Sequence, residues 1–192
     1  MIEVEVKLPI PDPEGVKNRI LEAGFKEQRF IEERDTYFDN ARGDIRANGE
    51  ALRVRETKDC RTGKKRAQIN YKGKKLDTQT MTRRELETGV EDGAVCREIL
   101  QAIGYSPAEP EVIKIRTMLQ KDFITACLDD VHGLGSFLEL EILVESEEKK
   151  DAALGQIKDI LNSLGYQVSD SVQTSYLSML QRKADKEGYQ NE

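Results

Sequence analysis

The chain has 192 residues, 34% charged and 38% hydrophobic, with a formal net charge of −6. That length can bury a sizeable core in one large domain or two small ones, and the regular spacing of its apolar residues excludes a disordered chain. The acidic balance argues against a general nucleic-acid binder, and no apolar run approaches the roughly 18 residues of a membrane span.

Residues 1–7 alternate Ile2, Val4 and Val6 with Glu3, Glu5 and Lys7. Period-two alternation predicts a β-strand with one charged and one apolar face. Residues 9–13 form a turn, with Asp12 as N-cap and Pro13 as the first helical residue. Val16, Ile20 and Ala23 then recur at helical spacing, and Gly24 ends the helix. A strand is expected over 28–39 and a polar connection over 40–50. Asp35 and Asp39 either line a site or cap strand ends.

The next strand, 51–55, turns Leu52 and Val54 one way and Arg53 and Arg55 the other. A basic hairpin tip over 58–66 leads to a strand over 67–72 that ends in Tyr71-Lys72-Gly73, and a second loop follows over 74–80. Solvated turns account for both loops; the sharper reading is a mobile rim that attracts an anion. Residues 81–90 read as a strand with Arg83, Glu85 and Glu87 on one face. A helix over 92–103 carries the stripe Val95, Ile99, Ala102 and Ile103. The strand over 111–119 sets Lys114 and Arg116 against Ile113 and Ile115. Its hairpin partner spans 123–130 and contains Asp129. A Gly-rich turn holds the sole histidine, His132, read as a surface residue. It leads into a strand over 136–144 with Glu139 and Glu141. Helices are expected over 147–164, with the stripe Leu154, Ile157, Leu161 and Leu164, and over 171–183, with Tyr176 and Leu177 packed on the sheet. Residues 1–183 then form one domain, and 184–192 a polar tail.

The Glu-x-Glu pattern occurs three times, at Glu3/Glu5, Glu85/Glu87 and Glu139/Glu141. Each copy precedes an amphipathic helix and a Gly-aromatic pair (Gly24-Phe25, Gly104-Tyr105, Gly165-Tyr166), so the chain repeats a strand-helix unit. The helices need an apolar sheet face to dock on, which leaves the charged faces together on the concave side. About eight strands of this kind make an α+β protein with a mainly antiparallel sheet, able to close into a barrel around one small ligand. Carboxylates crowded there need bases, cations or water. Arg-x-Arg and Lys-x-Arg doublets suit a chain of phosphates, and clustered carboxylates suit Mg²⁺ or Mn²⁺.

Cys60, Cys96 and Cys127 are odd in number and widely spaced, which fits neither a metal cluster nor a disulfide framework. Cys96 and Cys127 lie in apolar patterns and are read as buried thiols. With no leader-like stretch ahead of the first strand, the expected location is the cytoplasm.

The ordered set Glu3-Val4-Glu5-Val6-Lys7, Asp35-Thr36-Tyr37-Phe38-Asp39, Arg53-Val54-Arg55, Tyr71-Lys72-Gly73, Arg83-Arg84-Glu85-Leu86-Glu87, Lys114-Ile115-Arg116, Leu128-Asp129-Asp130-Val131 and Leu138-Glu139-Leu140-Glu141 resembles the CYTH domain, or triphosphate tunnel metalloenzyme, family. The chain is most similar to its class IV adenylyl cyclase branch, on its length, the loop after Lys72-Gly73 and Gly133-Leu134-Gly135-Ser136-Phe137. It departs from the family at Asn70, where Thr is common, and at Lys74-Lys75, where Pro often follows the Gly.

The resemblance implies a closed eight-stranded tunnel with helices outside. It implies metal held by Glu3, Glu5, Glu139 and Glu141, with Asp129, and phosphates held by Arg53, Arg55, Lys72, Arg83, Lys114 and Arg116. Glu3, Glu5 and Lys7 are the candidate catalytic groups, and Glu85 and Glu87 line the tunnel. The expected reaction is metal-dependent conversion of ATP to cyclic AMP and pyrophosphate. Hydrolysis of inorganic or thiamine triphosphate is the alternative, and binding without turnover the third reading. A small-molecule triphosphate is the expected partner, nucleic acid and membrane are not, and a homodimer through an exposed sheet face is compatible with the pattern.

Overall fold

The computed structural model describes residues 2–76 and 81–188. Eight strands close into a barrel: β1 (Ile2–Pro9), β2 (Lys26–Asn40), β3 (Ala51–Asp59), β4 (Lys65–Lys75), β5 (Arg83–Val90), β6 (Tyr105–Lys121), β7 (Ile124–Val131) and β8 (Gly135–Val144). Their order around the barrel is β1-β5-β4-β3-β2-β6-β7-β8, and each neighbouring pair is antiparallel. The strand β1 pairs with β8 along its whole length, from Ile2↔Val144 to Pro9↔Phe137. It meets β5 only at Ile2↔Arg84 and Glu3↔Arg83, so that seam is the shortest in the barrel.

The helices α1 (Pro13–Glu22), α2 (Asp44–Ala47), α3 (Gly93–Ala102), α4 (Lys150–Ser163) and α5 (Tyr176–Gly188) lie outside the wall. The main core sits between the barrel and α1 and α4. Val4, Val6 and Leu8 point outward from β1 and are buried against Val16 and Ile20 of α1 and Ile157 and Leu161 of α4. Each such side chain contributes about 1.5–3 kcal/mol by leaving water. The alternation in β1 therefore does two jobs: its apolar half fixes the strand against two helices, and its charged half is forced inward.

The three strand-helix units are β1-α1, β5-α3 and β8-α4. Each helix ends at a glycine in the left-handed region, Gly24 (φ +92°), Gly104 (φ +96°) and Gly165 (φ +83°), where a Cβ would be strained. The α1 N-terminus is capped as expected: Asp12 Oδ1 accepts from the Gly15 amide at 2.9 Å, and Pro13 opens the helix.

Several local expectations are corrected. On α3, Val95, Ile99 and Ile103 are about half exposed or more, while Gly93 and Leu100 are buried. The helix turns its Gly93–Cys96–Leu100 face to the wall because Gly93 allows close approach: a Cβ there would lie 3.0 Å from that of Ala67. A hydrophobicity stripe does not register glycine as a contact position. The connection over 40–50 contains α2, whose first turn is capped by Asp39, accepting from the Ile45 and Arg46 amides at 3.0 Å. The strands β2, β3, β4 and β6 run longer than predicted, so the hairpin tip shrinks to 60–64 and β4 reaches Lys75. The rest of the expected 74–80 loop falls largely outside the described residues. The last helix starts at Tyr176, after a 3-10 turn at Val168–Asp170, and continues through residues 184–188 of the expected tail. Cys127 is fully buried and Cys96 only partly, His132 is exposed, and among the described residues no helix is long and apolar enough to cross a membrane.

Candidate active site

The barrel encloses a cavity of about 590 Å³ that runs between its two ends. Strand parity sets its lining: Glu3 and Lys7 from β1, Arg53 and Arg55 from β3, Lys72 from β4, Arg83, Glu85 and Glu87 from β5, Lys114 and Arg116 from β6, Glu139 and Glu141 from β8. The two remaining sequence-predicted residues, Glu5 and Asp129, are 6% and 2% exposed and sit behind this surface, bonded to residues that line it.

One wall, built from β2, β3, β6 and β7, is self-neutralised. Arg55 grips Asp35 with two bonds, Nε to Oδ1 at 2.6 Å and Nη2 to Oδ2 at 2.7 Å, and reaches Glu33 through Nη1 at 3.0 Å. Arg116 grips Asp129 with two bonds of 2.6 Å and also bonds Glu139. Lys114 Nζ bonds Asp129 at 2.9 Å and lies 3.2 Å from Glu33. Such paired, charge-assisted contacts are the strong kind. Burial by itself would raise the Glu33 and Asp35 carboxyls, but the surrounding bases outweigh it. Arg55, Lys114 and Arg116 hold Glu33 at about 2, and Arg53 and Arg55 hold Asp35 well below its usual range. Arg53 donates through Nη1 to Asp35 at 3.2 Å, and its Nε is buried without an acceptor among the described residues. An unmet guanidinium donor on a tunnel wall fits an anionic ligand.

The other wall, from β1, β5 and β8, is acidic. Lys72 Nζ lies 3.0 Å from both Glu3 oxygens, 3.2 Å from Glu85 and 3.9 Å from Glu5. Lys7 spans Glu5 at 3.4 Å and Glu139 at 3.2 Å. In the β1/β8 register Glu5 stands directly opposite Glu141, and among the described residues no lysine or arginine pairs with Glu141. Like charges in a cross-strand pair repel. Burial first, then Glu3, push the Glu141 carboxyl up to about 8 against the pull of Arg116. Burial and Glu139 raise Glu5 as well, in spite of Lys7 and Lys72.

The carboxylates of that wall, which outnumber its bases, fit a hard divalent cation such as Mg²⁺ or Mn²⁺. In the present arrangement no three acidic or thiol groups converge as a ready-made metal cage among the described residues, because lysines hold several of the acids apart. Moving Lys72 and Lys7 onto a phosphate would free Glu3 and Glu5 beside Glu141. Asp129 is differently placed: it already accepts from Lys114, Arg116 and the Tyr176 hydroxyl at 3.1 Å.

Three contributors escaped the sequence reading. Glu33, 4% exposed, is part of the paired wall, and the alternation Ile31-Glu33-Asp35-Tyr37 was its available signal. Asn70, 0% exposed, donates to Glu87 at 2.7 Å and Glu85 at 3.3 Å, which gives the position where Thr was expected a specific task. Tyr176 packs against the barrel as expected, but its role in the tunnel was not foreseen. Its ring covers Lys7 at 4.3 Å and Lys114 at 5.3 Å and meets Phe137 edge-on. Asp35, 2% exposed, sits behind the lining and holds Arg53 and Arg55, while Asp39 caps α2 and stands in the tunnel lining.

The CYTH domain family matches residues 1–176 of this chain. The chain belongs to that family. CYTH proteins are generally triphosphate-processing enzymes dependent on Mg²⁺ or Mn²⁺. A Methanocaldococcus jannaschii protein with a provisional adenylate cyclase name is 35% identical over 179 residues, covering 93% of this chain and 98% of that protein. The solved structure of the PH1819 protein from Pyrococcus horikoshii superposes with a TM-score of 0.85 at 30% identity, covering 94% of this chain and 99% of that one. A Hippeastrum protein, provisionally named an adenylyl cyclase and described as having a dominant triphosphatase activity, shares the fold. It has a TM-score of 0.65 at 17% identity, with 95% of each chain covered.

Proposed function

We propose that this CYTH protein binds ATP with Mg²⁺ or Mn²⁺ in its tunnel and converts it to cyclic AMP and pyrophosphate. The observation that carries the reading is the division of the tunnel into a base-bearing wall and an acidic wall. Arg53, Arg55, Lys114 and Arg116, with Lys72 and Arg83, hold the phosphate chain extended, and Asp35, Glu33 and Asp129 keep the bases aimed. A cation held by Glu3, Glu5, Glu139 and Glu141 would neutralise charge on the phosphate oxygens. The ribose 3′-oxygen forms a bond to the α-phosphorus, the bond to the bridging oxygen breaks, and pyrophosphate leaves. The hydroxyl proton passes to the acidic wall. Lys7, between Glu5 and Glu139, is placed to follow the charge as it moves.

A hydrolase reading uses the same walls, with water attacking the terminal phosphorus. Its support is the triphosphatase activity described for the Hippeastrum protein of the same fold. Product analysis separates the two. Purified protein is incubated with ATP, inorganic triphosphate or thiamine triphosphate, each with Mg²⁺ or Mn²⁺, and the products are resolved by chromatography. Cyclic AMP with pyrophosphate is the expected result. Orthophosphate, released fastest from a substrate lacking adenosine, moves the protein to the hydrolase reading. Intact substrate throughout, with tight binding, makes it a binding module.

A further inference from the structure

The tunnel runs out at one end between α2 and α5, where Tyr37, Ile45 and Leu177 stand in the lining beside the charged Asp39, Arg46, Glu50 and Arg182. Gln181 of α5 stands in the same lining. Its Nε2 donates to the Glu109 carbonyl at 2.7 Å, which fixes the orientation of the amide. Its Oε1 is buried and meets no donor among the described residues. A buried acceptor left unmet is costly, and small-molecule sites pair apolar walls with a few such placed polar atoms. The opposite end also has apolar residues, Ile31, Met118 and Leu143, but its amide is engaged: Gln68 donates to Glu87 at 3.0 Å and Asn70 at 3.3 Å.

We propose that the nucleobase of the substrate sits between α2 and α5, and that Gln181 selects adenine by accepting from its exocyclic amine. This rests on the triphosphate reading of the tunnel and adds the direction in which the nucleotide lies. Adenine offers a donor at the position where guanine offers a carbonyl acceptor. A carbonyl against Gln181 Oε1 would oppose two acceptors, whereas the amine satisfies the orphaned one. The Tyr37 ring supplies a flat face and Leu177 an apolar contact, and the phosphates then extend inward to Arg53 and Arg55.

The test is calorimetry with α,β-methylene-ATP, α,β-methylene-GTP and imidotriphosphate in Mg²⁺. Wild-type protein should prefer the ATP analogue to the GTP analogue by about 10-fold or more, the size expected of one well-placed polar contact. Gln181→Leu should lose about 10-fold in affinity for the ATP analogue and hold imidotriphosphate within about two-fold. If that variant does not fold, Ile45→Ser reads the facing wall and should show the same selective loss. Leu143→Ser, at the other end, should change neither ligand. An ATP analogue bound equally by wild type and Gln181→Leu overturns the proposal, as does a selective loss in Leu143→Ser. In both cases imidotriphosphate binding leaves the tunnel reading intact. If wild type binds none of the three, the tunnel reading falls too.

Discussion

On the β2-β3-β6-β7 side of the tunnel each carboxylate meets two or more bases, whereas on the β1-β8 side Glu5 faces Glu141 across a strand pair. Both sides are built from period-two strands that turn charged side chains inward. They differ in how charge is distributed between neighbouring strands. Where β3 and β6 bring Arg-x-Arg and Lys-x-Arg doublets beside Asp35, Glu33 and Asp129, the wall is finished in the ligand-free protein. Where β1 and β8 both bring Glu-x-Glu, it is not. A stable half that aims bases, beside an unstable half that awaits a cation, suits a site that must take a polyanion and a metal together.

The largest effect expected from breaking this contrast is on the finished wall. Asp129→Ala leaves Lys114 and Arg116 without their main partner in a buried site, and should cost about 3–5 kcal/mol of stability. Chemical denaturation reads it directly, and a loss below about 1 kcal/mol would mean that the pairing is dispensable. Next comes Glu141→Gln, which should lower kcat/KM by about 100-fold or more through loss of a carboxylate that the proposed metal site requires. Without metal the same variant should be as thermally stable as wild type below about pH 8, since it replaces a carboxyl that already holds its proton there. A fall in Tm would count against the acidic wall being uncompensated.

The two walls should also respond oppositely to pH. The Glu33 carboxyl is depressed, so its contribution is present above its ordinary value near 4.5 and is lost as pH falls toward about 2. The Glu141 carboxyl is raised to about 8, so the folded protein holds a proton that the unfolded chain has released. That contribution is present below about 4.5 and is lost as pH rises through about 8. Metal-free protein should therefore have a lower Tm at pH 9 than at pH 6. Glu141→Gln should flatten the alkaline side and leave the acid side unchanged. The smallest effect expected is Ile99→Ser on the exposed ridge of α3, within about 0.5 kcal/mol, against about 2–5 kcal/mol for Leu100→Ala on its buried face.

Much of this was legible in the sequence, and the rest was hidden for identifiable reasons. Strand β1 and the stretches 51–55 of β3 and 138–144 of β8 announce which face is inward because one half of the alternation there is apolar. In β2 both faces are mixed, Ile31, Glu33, Asp35 and Tyr37 on one and Phe30, Glu32, Arg34 and Phe38 on the other, so parity could not be assigned and Glu33 was missed. Most of the charged side chains that line the tunnel were readable, but their pairing was not. Which carboxylate receives Arg116 depends on register between β6, β7 and β8, and that placed Asp129 among the bases. Tyr176 was invisible as a tunnel residue because a helix start gives no indication of what it covers. On α3, Gly93 decided the buried face, and glycine carries no hydrophobic signal.

The most direct test of the divided tunnel is Mn²⁺ binding followed by electron paramagnetic resonance of the free ion, comparing wild type with the Glu5→Gln/Glu141→Gln double variant. The account predicts that wild type takes up Mn²⁺ and that the double variant binds it about 10-fold more weakly or worse. Equal uptake by the two proteins would contradict it, since the cation would then be held somewhere other than the acidic wall.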